Sequence, residues 1–282
     1  MKTVLVPVDF SATSANTLAY AAAFSKDAPV SRIVLLKSCY VSVYAQLLPS
    51  ADYIQVSEED VRLQRKQHET QLNEMGAQLQ QQVGSGVKVE VAISKLPLLR
   101  SMHSMIEQIE PDLIIVGSDG GTNVDDCYVS DQLISLARTS TVSVLVIPPN
   151  YTYEPVKRVV LACNYKTVLK SDKLSALEKR YNWLHPELLV LNVNATKNPQ
   201  PDAGECARVE EHLQQLLSNY EYKVNYVNDR DILHGITSFA NSNEVQMIIA
   251  LPGRHSFLYS LTHESITAGL SASAHQPVLI LK

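Results

Sequence analysis

Between Val116 and Asp131 the chain reads VGSDGGTNVDDCYVSD. An apolar run ending in Gly117, followed by Gly120 and Gly121, has the look of a turn that lets the backbone approach a phosphate, since glycine has no Cβ to hold a ligand away. The same stretch carries Asp119, Asp125, Asp126 and Asp131. Ionised carboxylates only accept hydrogen bonds and repel phosphate. One like charge at about 4 Å costs roughly 1 kcal/mol in water-like surroundings and about 4 kcal/mol at an effective dielectric of 20. Each increment of about 1.4 kcal/mol is tenfold in affinity. A divalent cation between carboxylates and phosphates would reverse the sign.

Other chemistries find less support. No G-x-S-x-G elbow is present, and the Gly117-Ser118-Asp119 turn has no evident base, so a serine hydrolase is not expected. The Walker pattern and G-x-G-x-x-G are also missing, and the Gly84-Ser85-Gly86 triplet precedes a strand and reads as a plain turn. His255, His263 and His275 are spaced by 8 and 12, with His185 and His234 elsewhere, which matches no compact metal-ligand motif. They are expected to be surface or capping residues, and no metal is expected. Cys163 ends an apolar run, where it would be either a low-pKa thiol or a small buried residue, and the second is favoured. Cys39, Cys127, Cys163 and Cys206 form no C-x-x-C pair and are expected to be reduced thiols of a cytoplasmic protein. Arg254 and His255 could hold an anion, although a solvated loop is the simpler reading.

The elements that must position these residues follow a regular alternation. TVLVPV (3–8) is a buried strand, followed by a helix capped by Ser11 with Leu18, Ala21, Ala22 and Phe24 on its apolar face. RIVLLKSCYV (32–41) is a second strand, and a polar helix from Glu58 to Gln82 leads to a third strand after VGSG. That polar helix is expected to be an exposed covering element, with a partner-binding surface as the alternative. A helix with Pro97 near its first turn, DLIIVG (112–117), a helix near 130–138 and TVSVLVIPPN (141–150) complete one set.

The set then repeats. RVVLAC (158–163), ELLVLNV (187–193), YKVNYV (222–227), QMIIALPG (246–253) and QPVLILK (276–282) correspond in order to the five strands before them. Val4 matches Val159 at an offset of 155 residues, and Val144 matches Val278 at an offset of 134. The second copy is thus about 20 residues shorter between its second and third strands. Duplication of this kind defines two units, 1–150 and 151–282, with the boundary in the proline-rich PPNYTYEP. Apolar, non-alternating strands joined by helices imply an α/β fold: two tandem doubly wound domains, each a five-stranded parallel sheet covered on both faces. Ligands of such sheets bind at the carboxyl ends of the strands, where the strand order reverses.

Composition sets outer limits. The 282 residues are 45% hydrophobic and 19% charged, as in an ordinary globular protein, and a net charge of −5 gives no general attraction to nucleic acid or an anionic membrane. Pro7 and Asp9 interrupt the first apolar run, which is therefore expected to be a buried strand and not a signal peptide, and no run approaches the roughly 20 apolar residues needed to span a bilayer.

VLVPVDFSATSANTLAYAAAFS is similar to the opening of the universal stress protein family, a strand ending in Asp before a Ser-capped helix. DLIIVGSDG with VSDQLISLARTSTVSVLVIPP resembles the family's closing strand–loop–helix–strand. PGRHSFLYSLTHESITAGLSASAHQPVLILK resembles the divergent second domain of tandem members in Bacteroidetes-like bacteria. The resemblance implies nucleotide-facing positions at Pro7, Val8, Asp9, Ser38, Val116, Gly117, Gly120, Ser130 and Asp131. ATP-binding members carry G-x-x-G, nine residues, then Gly and Ser or Thr. Gly117 and Gly120 match the first pair, whereas Ser130 and Asp131 replace the second. In the second half Asn164 stands where Asp9 stands, and ALPGRHS keeps only Gly253.

The resemblance therefore implies a non-catalytic regulatory or stress-response protein with a degenerate first-half cleft. No cofactor is expected. ATP or AMP with Mg²⁺ in the first half, acting as a switch or turned over by a slow ATPase, is the alternative. An unidentified regulatory protein is the expected partner. The two last strands are expected to lie side by side as an intramolecular pseudo-dimer, with a homodimer also compatible.

Overall fold

A computed structural model describes residues 2–40, 58–118, 136, 139–163, 174, 177, 180–181, 183–194, 203–251 and 275–282. Among these the elements run β1 (Thr3–Val8), α1 (Ala12–Asp27), β2 (Arg32–Ser38), α2 (Glu58–Gln82), β3 (Lys88–Ser94), α3 (Leu98–Ile109), β4 (Leu113–Gly117), β5 (Ser143–Ile147), β6 (Arg158–Ala162), β7 (Glu187–Asn194), α4 (Ala203–Leu216), β8 (Tyr222–Asn228), α5 (Ile232–Ser242), β9 (Met247–Ala250) and β10 (Val278–Ile280).

The strands form one sheet of order β3-β2-β1-β4-β5-β10-β9-β6-β7-β8. From either end the order is the same, third, second, first, fourth and fifth strand of a half. Pairing is parallel within each half, and the halves meet where β5 runs antiparallel to β10. The expected neighbouring of the last strands is realised here, with Leu145 opposite Leu279. Pairing these edges leaves neither as an exposed template for aggregation.

Leu and β-branched runs suit strands buried on both faces. One apolar core lies on the face of α1 and α2, and a second on the face of α3 and α5. Each core draws residues from both halves, so hydrophobic burial is continuous across the join. The polar helix α2 contributes Leu72 and Leu79 to this burial and presents most of its other side chains to solvent.

The internal repeat extends to individual hydrogen bonds. Asp112 Oδ2 accepts from the Lys2 and Thr3 N–H groups at 2.7 and 2.9 Å, and Gln246 Oε1 accepts from Lys157 and Arg158 at 3.0 and 2.9 Å. In each half the residue before the fourth strand thus ties down the start of the first. The segment joining the halves packs on α1. Tyr153 meets Tyr20 and Phe24 edge-on at 5.2 and 6.1 Å, and its hydroxyl donates to Asp27 Oδ2 at 2.7 Å.

Candidate functional site

The strand order reverses between β1 and β4, so the place to look for a ligand is where Val8-Asp9 and Gly117-Ser118 end their strands. Asp9 sits at the β1–α1 corner. Its Oδ1 accepts from the Ser11 N–H at 2.9 Å, the Ser11 hydroxyl at 2.5 Å and the Ser14 hydroxyl at 2.6 Å. Ser14 Oγ in turn accepts from the Asp9 N–H at 3.0 Å. Ser11 caps α1 as expected, accepting from the Ser14 N–H at 3.2 Å. Burial pulls the Asp9 carboxyl up. The hydrogen bonds from Ser11 and Ser14 and the charge of Lys37 outweigh it, so the carboxyl titrates below its ordinary value. One carboxylate oxygen is thus committed to the corner, while Oδ2 accepts no hydrogen bond among the described residues.

Gly117 closes β4 for a reason that the spacing did not reveal. A Cβ there would lie 2.4 Å from Thr17 Oγ1 and 2.5 Å from Thr13 Cγ2, both on α1. Its missing side chain lets α1 lie close to the strand. The next backbone donor, the Ser118 N–H, is bonded to the Ile147 carbonyl at 2.8 Å and continues the ladder with β5.

The other implied positions divide by burial. Val8 and Val116 are core residues, 5% and 1% exposed, and can offer a ligand only main chain. Pro7 is partly buried and lies opposite Leu36 in the β1–β2 pairing. Ser38 turns its hydroxyl to the Leu96 carbonyl at 2.8 Å, and the following Cys39 N–H donates to Ser94 O at 2.8 Å. Gly120, Ser130 and Asp131 lie outside the described residues, as do Asp119, Asp125, Asp126 and Cys127.

At the β1 and β2 ends a cluster appears that no sequence spacing announced. Phe10 adopts a positive φ of 72°, costly for a bulky residue, and its ring lies between Lys37 and His68. Lys37 Nζ lies 4.6 Å from the centre of that ring and 3.4 Å from the Asp9 carbonyl. His68 of α2 lies against Phe10 at 5.5 Å, and its Nδ1 is 3.3 Å from Cys39 Sγ. Burial and the nearby Lys37 hold His68 below its ordinary value, while burial raises the Cys39 thiol despite Lys37 and Arg65. The signals were single residues on three separate elements.

In the second half, burial pushes the Cys163 thiol up to about 12, in line with a small buried residue and against the low-pKa alternative. Its N–H bonds Leu191 O at 3.0 Å. His234 pairs with Asp229 Oδ2 at 2.7 Å, His185 packs on Tyr220, and His275 is exposed. Asn164, Gly253, Arg254, His255 and His263 lie outside the described residues. Among the described residues no three His, Cys, Asp or Glu side chains form a group able to hold a metal, and no helix is long and apolar enough to cross a membrane.

The model of the universal stress protein family matches residues 1–148. No curated protein matches the sequence. A universal stress protein from Archaeoglobus fulgidus is similar in fold, with a TM-score of 0.66 at 17% identity, covering 99% of this chain and 96% of that one. A functionally unknown protein from Pseudomonas aeruginosa gives 0.57 at 14% identity, covering 99% and 92%. The cytoplasmic domain of a prokaryotic cation chloride cotransporter gives 0.53 at 14% identity, covering 99% and 94%.

Proposed function

The chain belongs to the universal stress protein family, and from that premise we propose that it is a non-catalytic, cytoplasmic regulatory protein of the stress response. Its first-half cleft is a nucleotide site that has lost its phosphate grip, and it acts through contacts with a protein partner. The two halves, 1–150 and 151–282, serve as a built-in dimer.

The observation that carries this reading is the engagement of the β4 end. Gly117 is taken up by α1 packing, and the first N–H beyond it is consumed by β5. A phosphate would then depend on donors further along the loop, where the sequence supplies Ser130 and Asp131 in place of Gly and a hydroxyl residue. The second reading, an ATP- or AMP-binding switch, is favoured by Asp9, whose Oδ2 accepts no hydrogen bond among the described residues and could receive one from a ribose or base donor.

Thermal unfolding with ATP, AMP and Mg²⁺ separates the two. The regulatory reading expects no shift at millimolar nucleotide. An upward shift of several degrees that Asp9→Ala removes would establish the switch, and phosphate release above background would establish an enzyme.

A further inference from the structure

The sheet ends in two outer strands, β3 and β8, which are equivalent in the repeat and are finished differently. The edge of β3 is closed by its own helix. Gln80 of α2 accepts from the Val89 N–H at 2.8 Å and donates to the Val87 carbonyl at 2.9 Å, taking the place of a neighbouring strand. Gly76 brings α2 down on the same strand, since a Cβ there would lie 2.7 Å from Val91 Cγ1. The last turns of α2 and α4 match, with Leu79 accepting from the Val83 N–H as Leu213 does from Leu217, at 3.1 and 2.8 Å. The counterparts of Gly76 and Gln80 on α4 are therefore Glu210 and Gln214. Both are exposed, and the Gln214 side chain makes no hydrogen bond among the described residues.

The edge of β8 lacks that seal. Glu221 O accepts from the Leu188 N–H at 2.8 Å, and the Asp229 N–H donates to Asn194 O at 3.2 Å. Odd-numbered residues of β8 thus turn their main chain to β7, and Tyr222, Val224, Tyr226 and Asn228 turn theirs outward. Among the described residues no side chain meets the outward groups of Tyr222 and Val224. The side chains of Tyr222 and Val224 pack at the margin of the core under α1 and α2, and Tyr226, on the same face, is 44% exposed. Lys223 lies on the other face, held by Glu187 Oε1 at 2.5 Å. An open edge with a half-buried apolar row is a template for another strand.

We propose that β8 docks on β8 of a second copy of this chain, antiparallel about a two-fold axis through Val224. The sequence of the strand is complementary to itself in that register. Tyr222 meets Tyr226 twice, Val224 meets itself, Lys223 meets Asn225 and Glu221 meets Val227, so aromatic rings face each other and no like charges are opposed. An axis through Asn225 would instead set Glu221 against Asp229. The chain already joins its own halves in this manner, edge to edge and antiparallel, at β5 and β10. The surface lies at the far end of the sheet from the first-half site and does not depend on any ligand there.

Sedimentation velocity of the full chain tests the assignment. A reversible dimer is expected to build up between about 1 and 300 μM, as suits a short interface. Val224→Pro removes only an outward N–H, which an edge strand tolerates, and is expected to weaken association at least about tenfold. Val91→Pro, at the equivalent place on β3, is expected to leave it unchanged. Under mild oxidation Val224→Cys is expected to cross-link two chains, and Val91→Cys to stay at the wild-type level. A wild type that remains monomeric over this range overturns the proposal, which is the outcome if the edge serves an extended segment of another protein. Unchanged association of folded Val224→Pro, or no cross-link by Val224→Cys, overturns it as well. Should Val224→Pro fail to fold, amide exchange of the wild type at the two ends of the concentration range decides. Slowing at high concentration must centre on Tyr222 and Val224, and slowing centred elsewhere overturns the proposal.

Discussion

A methyl group at position 117 would have nowhere to go. The contacts of 2.4 and 2.5 Å with Thr17 and Thr13 predict that Gly117→Ala lowers unfolding free energy by about 1–3 kcal/mol in urea titration. In a Thr13→Ser/Thr17→Ala background the loss is expected to shrink, because the colliding atoms are gone. A site-only role for Gly117 would give the same small loss in both backgrounds. This residue also shows where sequence reading stops. A glycine after an apolar strand fits both a ligand turn and a close helix, and only the position of α1 tells them apart.

Asp9 carries a second prediction at the same scale. Its folded-state carboxyl titrates below the ordinary 3.8. Its contribution to stability is therefore full above that value and is lost as pH falls through the folded value. Asp9→Asn should remove that part of the acid destabilisation, giving a flatter stability profile below about pH 4. An unchanged acid limb would show that the carboxylate contributes nothing to the corner.

Among the elements, α1 is the one on which the most depends. It is capped at the candidate site, packs over β4 and receives the joining segment on its far half. Ser11→Ala removes the cap and one of the donors to Asp9, with an expected cost of about 1–2 kcal/mol by denaturant unfolding. The helix was legible because Ser11 precedes an alanine-rich run with apolar residues at helical spacing. The cluster of Phe10, Lys37 and His68 was not. Lys37 stands on a strand, His68 on a helix separated from it by residues 41–57, and Phe10 in a corner with a positive φ, so no local pattern links them. The joining segment is likewise a matter of packing, since its tyrosines only acquire meaning against Tyr20 and Phe24.

At the scale of the whole molecule, the repeat of five apolar runs was enough to identify the strands and match them between halves, because buried parallel strands are apolar throughout, while their order in the sheet comes from the structure. The join of β5 and β10 makes the halves share both cores. Leu279 lies opposite Leu145, and both are buried. Leu279→Ala is expected to cost about 2–5 kcal/mol and to speed amide exchange in β1 and β4 as well as in β9. Confinement of the change to the second half would mean that the halves unfold independently.

The claim that the first half has lost its phosphate grip is tested most directly by calorimetric titration of ATP with Mg²⁺ into the wild-type chain and into Ser130→Gly/Asp131→Ser. No binding in the micromolar range is predicted for the wild type, and a gain of at least about tenfold for the double variant as one repulsive charge leaves and a donor hydroxyl enters. Micromolar binding by the wild type, or a double variant that gains nothing, would contradict it.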